Sequence, residues 1–104
     1  MDTLKTLTKQ QAIDLVRRYK NFISPRFDDG LKVYLYGSYS KGYARPESDI
    51  DVAVVVPTIK NWLRQATDIT LDAMRISGLI EPVLMEENEP SPLYRDVMRT
   101  GITV

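Results

Sequence analysis

The sequence has no cysteine and no histidine. Without thiols there is no disulfide framework, no thiolate metal site and no cysteine nucleophile. Without imidazole there is no Ser-His-Asp relay, no histidine base and no nitrogen ligand for a metal. Net charge is missing too. The 14 basic residues balance the 14 acidic ones, which leaves no electrostatic footprint for general DNA or RNA binding. No apolar run approaches membrane-spanning length, and Met1 to Gln10 carry no apolar signal-peptide core, so the expected location is the cytoplasm.

What is present suffices for one domain, residues 1–104, since 43% of the 104 residues are hydrophobic and 27% are charged. Chemistry in such a chain falls to carboxylates, Lys and Arg, hydroxyls and backbone amides. Any metal would be a hard cation on oxygen ligands, which means magnesium, manganese or calcium.

Thr8 with Gln11 forms a capping-box pattern, and Ala12, Leu15, Val16 and Tyr19 follow at helical spacing, which predicts a helix over 9–22. Ser24-Pro25 and Asp28-Asp29-Gly30 break it. Residues 31–36 read as a short strand ending at Gly37. Residues 38–49 are turn-rich, with one helical turn expected after Gly37. Residues 50–56 are almost all apolar, as in a strand covered on both faces. Trp62, Ala66, Ile69, Ala73 and Ile76 predict a helix from Lys60 to Ser77 with that stripe turned inward. A third strand is expected over 79–85, and a last helix from Pro92 to Thr100 behind a Ser91 cap. The expected architecture is α/β, a small three-stranded sheet with helices packed against it.

One stretch carries chemistry: Gly37-Ser38-Tyr39-Ser40-Lys41-Gly42, followed by Ser48-Asp49-Ile50-Asp51. At average residue usage that skeleton arises by chance in roughly one chain of this size in ten thousand. Asp49 and Asp51 stand two residues apart at the mouth of a strand, so their carboxylates project from one face. Two like charges held so close call for a cation, and a divalent metal there can also bridge triphosphate oxygens. Gly37 lets backbone approach a ligand, and Ser38 offers a hydroxyl and an amide to an anion. Lys41 and Arg45 are near enough in sequence to neutralise phosphate.

These residues resemble the signature of the DNA polymerase beta-type nucleotidyltransferase superfamily, and more narrowly its minimal nucleotidyltransferases. Members of that branch are often encoded beside a small helical HEPN-domain protein, and several act as antitoxins toward it. The resemblance implies the nucleotidyltransferase fold with a mixed sheet, and metal-binding carboxylates at Asp49 and Asp51. It also implies a phosphate-contacting turn at Gly37 and Ser38. Its third carboxylate belongs on the last strand, where Glu81 in Ile80-Glu81-Pro82-Val83 is the match, a Glu where Asp is commoner. Pro82 removes a ladder donor, which predicts an edge strand. The expected reaction moves a nucleoside monophosphate, AMP from ATP, onto a hydroxyl with two Mg²⁺ ions, or Mn²⁺, in attendance. The expected acceptor is a tyrosine on a HEPN-type partner; a homo-oligomer is left open.

Rival readings exist. The chain could be a non-catalytic module that neutralises its partner by occlusion, or could modify a small molecule such as an aminoglycoside. Tyr39 and Tyr43 flank the motif and could stack on a base, while Glu86, Glu87 and Glu89 read as a solvated loop.

Overall fold

The computed structural model describes residues 6–104; Met1 to Lys5, the first half of the Met1–Gln10 stretch expected to carry no signal-peptide core, lie outside the described residues. Helix α1 spans Lys9–Ile23, and the expected capping box closes it: Thr8 accepts from the Gln11 amide while the Gln11 side chain accepts from the Thr8 amide. Ala12, Val16, Tyr19 and Ile23 are fully buried at steps of four, three and four, each worth up to about 1.5–3 kcal/mol for the larger side chains.

Strands β1 (Lys32–Tyr36), β2 (Ile50–Val56) and β3 (Ile80–Glu86) are joined by the four-residue α2 (Ser38–Lys41) and by α3 (Trp62–Ile76). Helix α4 (Pro92–Thr100) follows, capped as expected by Ser91, whose hydroxyl accepts from the Tyr94 amide. The sheet has four strands, not three, in the order β3-β2-β1-β4. The extra strand β4 is only Ile102–Thr103, paired antiparallel to β1. β1 and β2 are antiparallel, whereas β2 and β3 are parallel because α3 crosses over between them. β3 pairs only with β2, so Pro82 does lie on an edge.

Apart from Asp51, β2 is apolar because both of its faces are covered. Ile50, Val52, Val54 and Val56 join the core beneath α1 and α3, while Ala53 and Val55 pack with Tyr36, Met85 and Val97 of α4. Two polar ties hold the helical layer. The Tyr19 hydroxyl donates to the Ile69 carbonyl at 2.7 Å. Asp72, the one buried charged residue among those described, is clasped by Arg26, with a guanidinium nitrogen 3.0 Å away.

Two sequence expectations fail here. Trp62 does not turn inward; it is 59% exposed, because α3 has apolar residues on two faces and only the Ile69–Ala73 face meets the sheet. Tyr39 is buried in the main core, which removes it as a base-stacking platform, whereas Tyr43 remains open to solvent. Glu86, Glu87 and Glu89 are more than solvated: Glu86 accepts from the Ile59 amide, Glu89 accepts from the Glu86 amide and the Ser91 hydroxyl, and Glu87 pairs with Lys32.

Candidate active site

Alternation along the strands decides which face bears the chemistry. On β2 the even positions point to α1 and α3, so Asp51 points to the α4 side. Register does the rest. Tyr36 of β1 lies opposite Asp51, and Asp51 lies opposite Glu81 of β3. Neighbouring strands are about 4.8 Å apart, so the three side chains form a row across the sheet on one face. Asp49 sits just before β2, two residues from Asp51.

The carboxylates feel one another. Burial, and then the charge of Asp49, push the Asp51 carboxyl above its ordinary range. A hydrogen bond shared with Asp49 raises Glu81, followed by the Asp49 charge, burial and the Asp51 charge. The Tyr36 hydroxyl is pushed up to about 12 by burial and by Asp51, Glu81 and Asp96. It stays neutral and able to donate. As the side chains stand, no three acidic residues among those described are gathered closely enough to hold an ion between them. The donor chemistry nevertheless suits a hard cation: oxygen only, excess negative charge, and no cation of the described residues paired with it.

Gly37 connects this row to the turn. Its φ of +76° lies where side chains are disfavoured, and an added Cβ would overlap the Asp51 carboxylate. Only glycine lets the chain turn from β1 into Ser38 without displacing Asp51. Ser38 opens α2, and its carbonyl accepts from the Gly42 and Tyr43 amides at 2.9 and 3.0 Å.

The two basic residues of the motif are placed differently. The Lys41 ammonium is 3.1 Å from Asp96 of α4. Arg45 lies in an exposed turn closed on both sides, its amide donating to the Ser48 hydroxyl at 2.7 Å and its carbonyl accepting from the Ser48 amide at 2.9 Å. Sequence reading missed Tyr36 and Asp96. The alternation Val33-Tyr34-Leu35-Tyr36 could have found the first, since Tyr36 must face away from buried Leu35. Nothing local announces Asp96, which α4 carries in from 55 residues beyond Lys41.

A cavity of about 260 Å³ lies at the Val56 end of β2, lined by Arg26, Phe27, Pro57 and Gln65 among others. It contains none of the motif residues.

Known proteins share this fold. A solved structure from Sulfolobus solfataricus, provisionally named a nucleotidyltransferase, superposes with a TM-score of 0.65 at 19% identity over 98% of this chain and 90% of that one. The toxin-antitoxin complex MntA-HpeT, in a mutant form, has a chain that matches with a TM-score of 0.54 at 24% identity, covering 95% of this chain and 72% of that one. A toxin-antitoxin structure with AMP-PNP matches with a TM-score of 0.53 at 23% identity, covering 93% and 72%. In sequence, a Methanocaldococcus jannaschii protein bearing the provisional name of a protein adenylyltransferase is 28% identical over 98 residues, 90% of this chain and 99% of that one. The family described as "Nucleotidyltransferase domain" matches residues 16–88, which run from the middle of α1 past the end of β3 and include Gly37, Ser38, Asp49, Asp51 and Glu81. The chain belongs to that family and is a nucleotidyltransferase.

Proposed function

We propose that the chain transfers AMP from ATP to a hydroxyl, a tyrosine, on a HEPN-type partner protein, and thereby acts as an antitoxin in the cytoplasm. The observation that carries this reading is the register of Asp51 with Glu81, flanked by Asp49 and abutting Gly37. The likeness to a protein named for protein adenylylation supports the choice of acceptor class, and the fold shared with a toxin-antitoxin chain supports the choice of partner.

In this reading Asp49, Asp51 and Glu81 would hold Mg²⁺, which would neutralise triphosphate charge and polarise the α-phosphate. Glu81, on the open edge strand, receives the proton of the acceptor hydroxyl. The hydroxyl oxygen bonds to the α-phosphorus, the bond to the β-phosphate bridge oxygen breaks, and pyrophosphate leaves. Gly37 and Ser38 cradle the phosphates, with Arg45, and Lys41 once it leaves Asp96, as the cations. Tyr36 can donate to the carboxylates or to a phosphate oxygen from the sheet floor. The bulky anionic adduct blocks the partner's own site by charge and volume.

The test is to incubate purified chain and partner with ATP and magnesium and to weigh the partner intact. Gain of adenylyl mass, absent with Asp49→Asn/Asp51→Asn, is the expected result. A partner silenced without mass change would favour occlusion instead, a reading that draws on the engagement of Lys41 by Asp96.

A further inference from the structure

Helix α3 has a second apolar face that the fold does not use. Leu63, Leu71 and Met74 are 70%, 54% and 67% exposed, and Trp62 is 59% exposed. Leu63, Thr67, Thr70, Leu71 and Met74 recur at helical spacing, the pattern by which one helix grips another. The Thr70 hydroxyl is already donated to the Ala66 carbonyl at 2.8 Å, so Thr70 has little need of water on that side. Between Trp62 and Leu71 runs a shallow groove of about 260 Å³. Isolated exposed hydrophobics are ordinary on a protein surface, but a contiguous patch of them is not.

The charges around the stripe select the occupant. Arg64 and Arg75 lie exposed at either end of it, without an ion-pair partner among the described residues. The nearest acid on the helix surface, Asp68, is engaged by Arg26 at 3.5 Å. The rim is therefore cationic. Two copies of this chain meeting through it would set Arg64 and Arg75 against their own counterparts, since Lys60 is already paired with Asp28 at 3.4 Å and Asp68 with Arg26 at 3.5 Å. We propose that the outer face of α3 docks an amphipathic helix of a partner protein whose apolar stripe is bordered by Asp and Glu. The choice of another chain as occupant rests on the partner-directed transfer proposed above. Because α3 packs on the sheet face opposite Asp51 and Glu81, a partner anchored there leaves the carboxylates open to nucleotide.

Trp62 is the only tryptophan of the chain, so its emission reports the patch directly. The full chain, without nucleotide, is titrated with a synthetic amphipathic helix carrying a leucine stripe and glutamate flanks, and with the same helix carrying lysine flanks. The expected result is a blue shift of Trp62 with the acidic peptide and an affinity that falls with salt. The lysine-flanked peptide, and Leu71→Glu against the acidic one, should each bind about tenfold more weakly or worse. Arg64→Glu/Arg75→Glu should reverse the preference between peptides. Equal affinity for both peptides, no binding of either, or unchanged binding by Leu71→Glu overturns the proposal. So does a concentration-dependent blue shift of the chain alone, which would assign the face to a second copy. Adenylyl transfer is assayed separately: transfer that persists while peptide binding fails rejects this surface and leaves the activity standing, and the converse rejects only the activity.

Discussion

The Lys41 ammonium of α2 and the Asp96 carboxylate of α4 form an ion pair at 3.1 Å that joins the glycine turn to the helix covering the carboxylate face. Hydrogen bonding from Lys41, reinforced by its charge and by Arg99, lowers the Asp96 carboxyl below its ordinary range. The stability this pair contributes is thus present above the ordinary pKa of 3.8 and is lost only as pH falls through the lower folded value. At neutral pH the pair competes with phosphate for Lys41. Asp96→Asn is expected to tighten ATP binding a few-fold, on the order of a surface ion-pair effect. Lys41→Ala should weaken it, and calorimetry in matched salt separates the two.

Asp51→Asn should have opposite effects on binding and stability. Metal-dependent ATP binding should fall sharply, since the residue is central to the acidic row. The metal-free protein should melt higher, at about 4–8 °C for each kcal/mol recovered, because a carboxylate crowded by burial and Asp49 is replaced by a neutral isostere. The sign follows from the raised carboxyl. Its penalty is in full force above the folded pKa and vanishes below the unfolded 3.8. The melting difference between wild type and Asp51→Asn should therefore shrink as pH is lowered through that window, as read by calorimetric scans.

Glu81→Gln tests proton transfer. Turnover should drop by about 10²–10⁴-fold, the usual worth of a positioned acid or base. ATP affinity should change much less. The pH-rate profile supplies the second readout: its acidic limb, set by a raised carboxyl, should flatten in the variant. Unchanged turnover would reduce Glu81 to an exposed edge-strand acid.

Tyr39 offers a check on the core behind the motif. Its hydroxyl is buried and has no hydrogen-bond partner among the described residues, and an unsatisfied buried polar group costs about 1–3 kcal/mol. Tyr39→Phe should leave stability unchanged or raise it by roughly 1 kcal/mol. Tyr39→Ala should lower it by about 3–5 kcal/mol through the cavity it opens. Chemical denaturation measures both.

Features specified within a few residues are legible in the sequence itself. Thr8 and Gln11 cap α1, Ser91 caps α4, and the nearly continuous apolar run of β2, interrupted only by Asp51, announces a strand covered on both faces. The pairing of Gly37 with Asp51 is half legible: the glycine points to a close approach, and the fold reveals the carboxylate that a Cβ would strike. Features that depend on how elements meet are not legible. β4 is two residues long and exists only because β1 offers a free edge. Trp62 escapes prediction because α3 has two apolar stripes, and periodicity alone does not say which one meets the sheet. Tyr36, Asp51 and Glu81 share a row only through one antiparallel and one parallel register. Asp96 enters because α4 packs on the carboxylate side, which no local pattern states.

The parallel pairing of β2 with β3 has a temporal consequence. As the chain is made, Gly37, Ser38, Asp49 and Asp51 emerge well before Glu81, and α3 must form and fold back before β3 can add to β2. The acidic row therefore waits on a non-local pairing, and it rests on an outermost strand. Any cation or nucleotide that binds only the finished row will hold β3 in place, adding stability that grows with the logarithm of its concentration. A chain in which β3 has frayed loses its chemistry before it loses its fold.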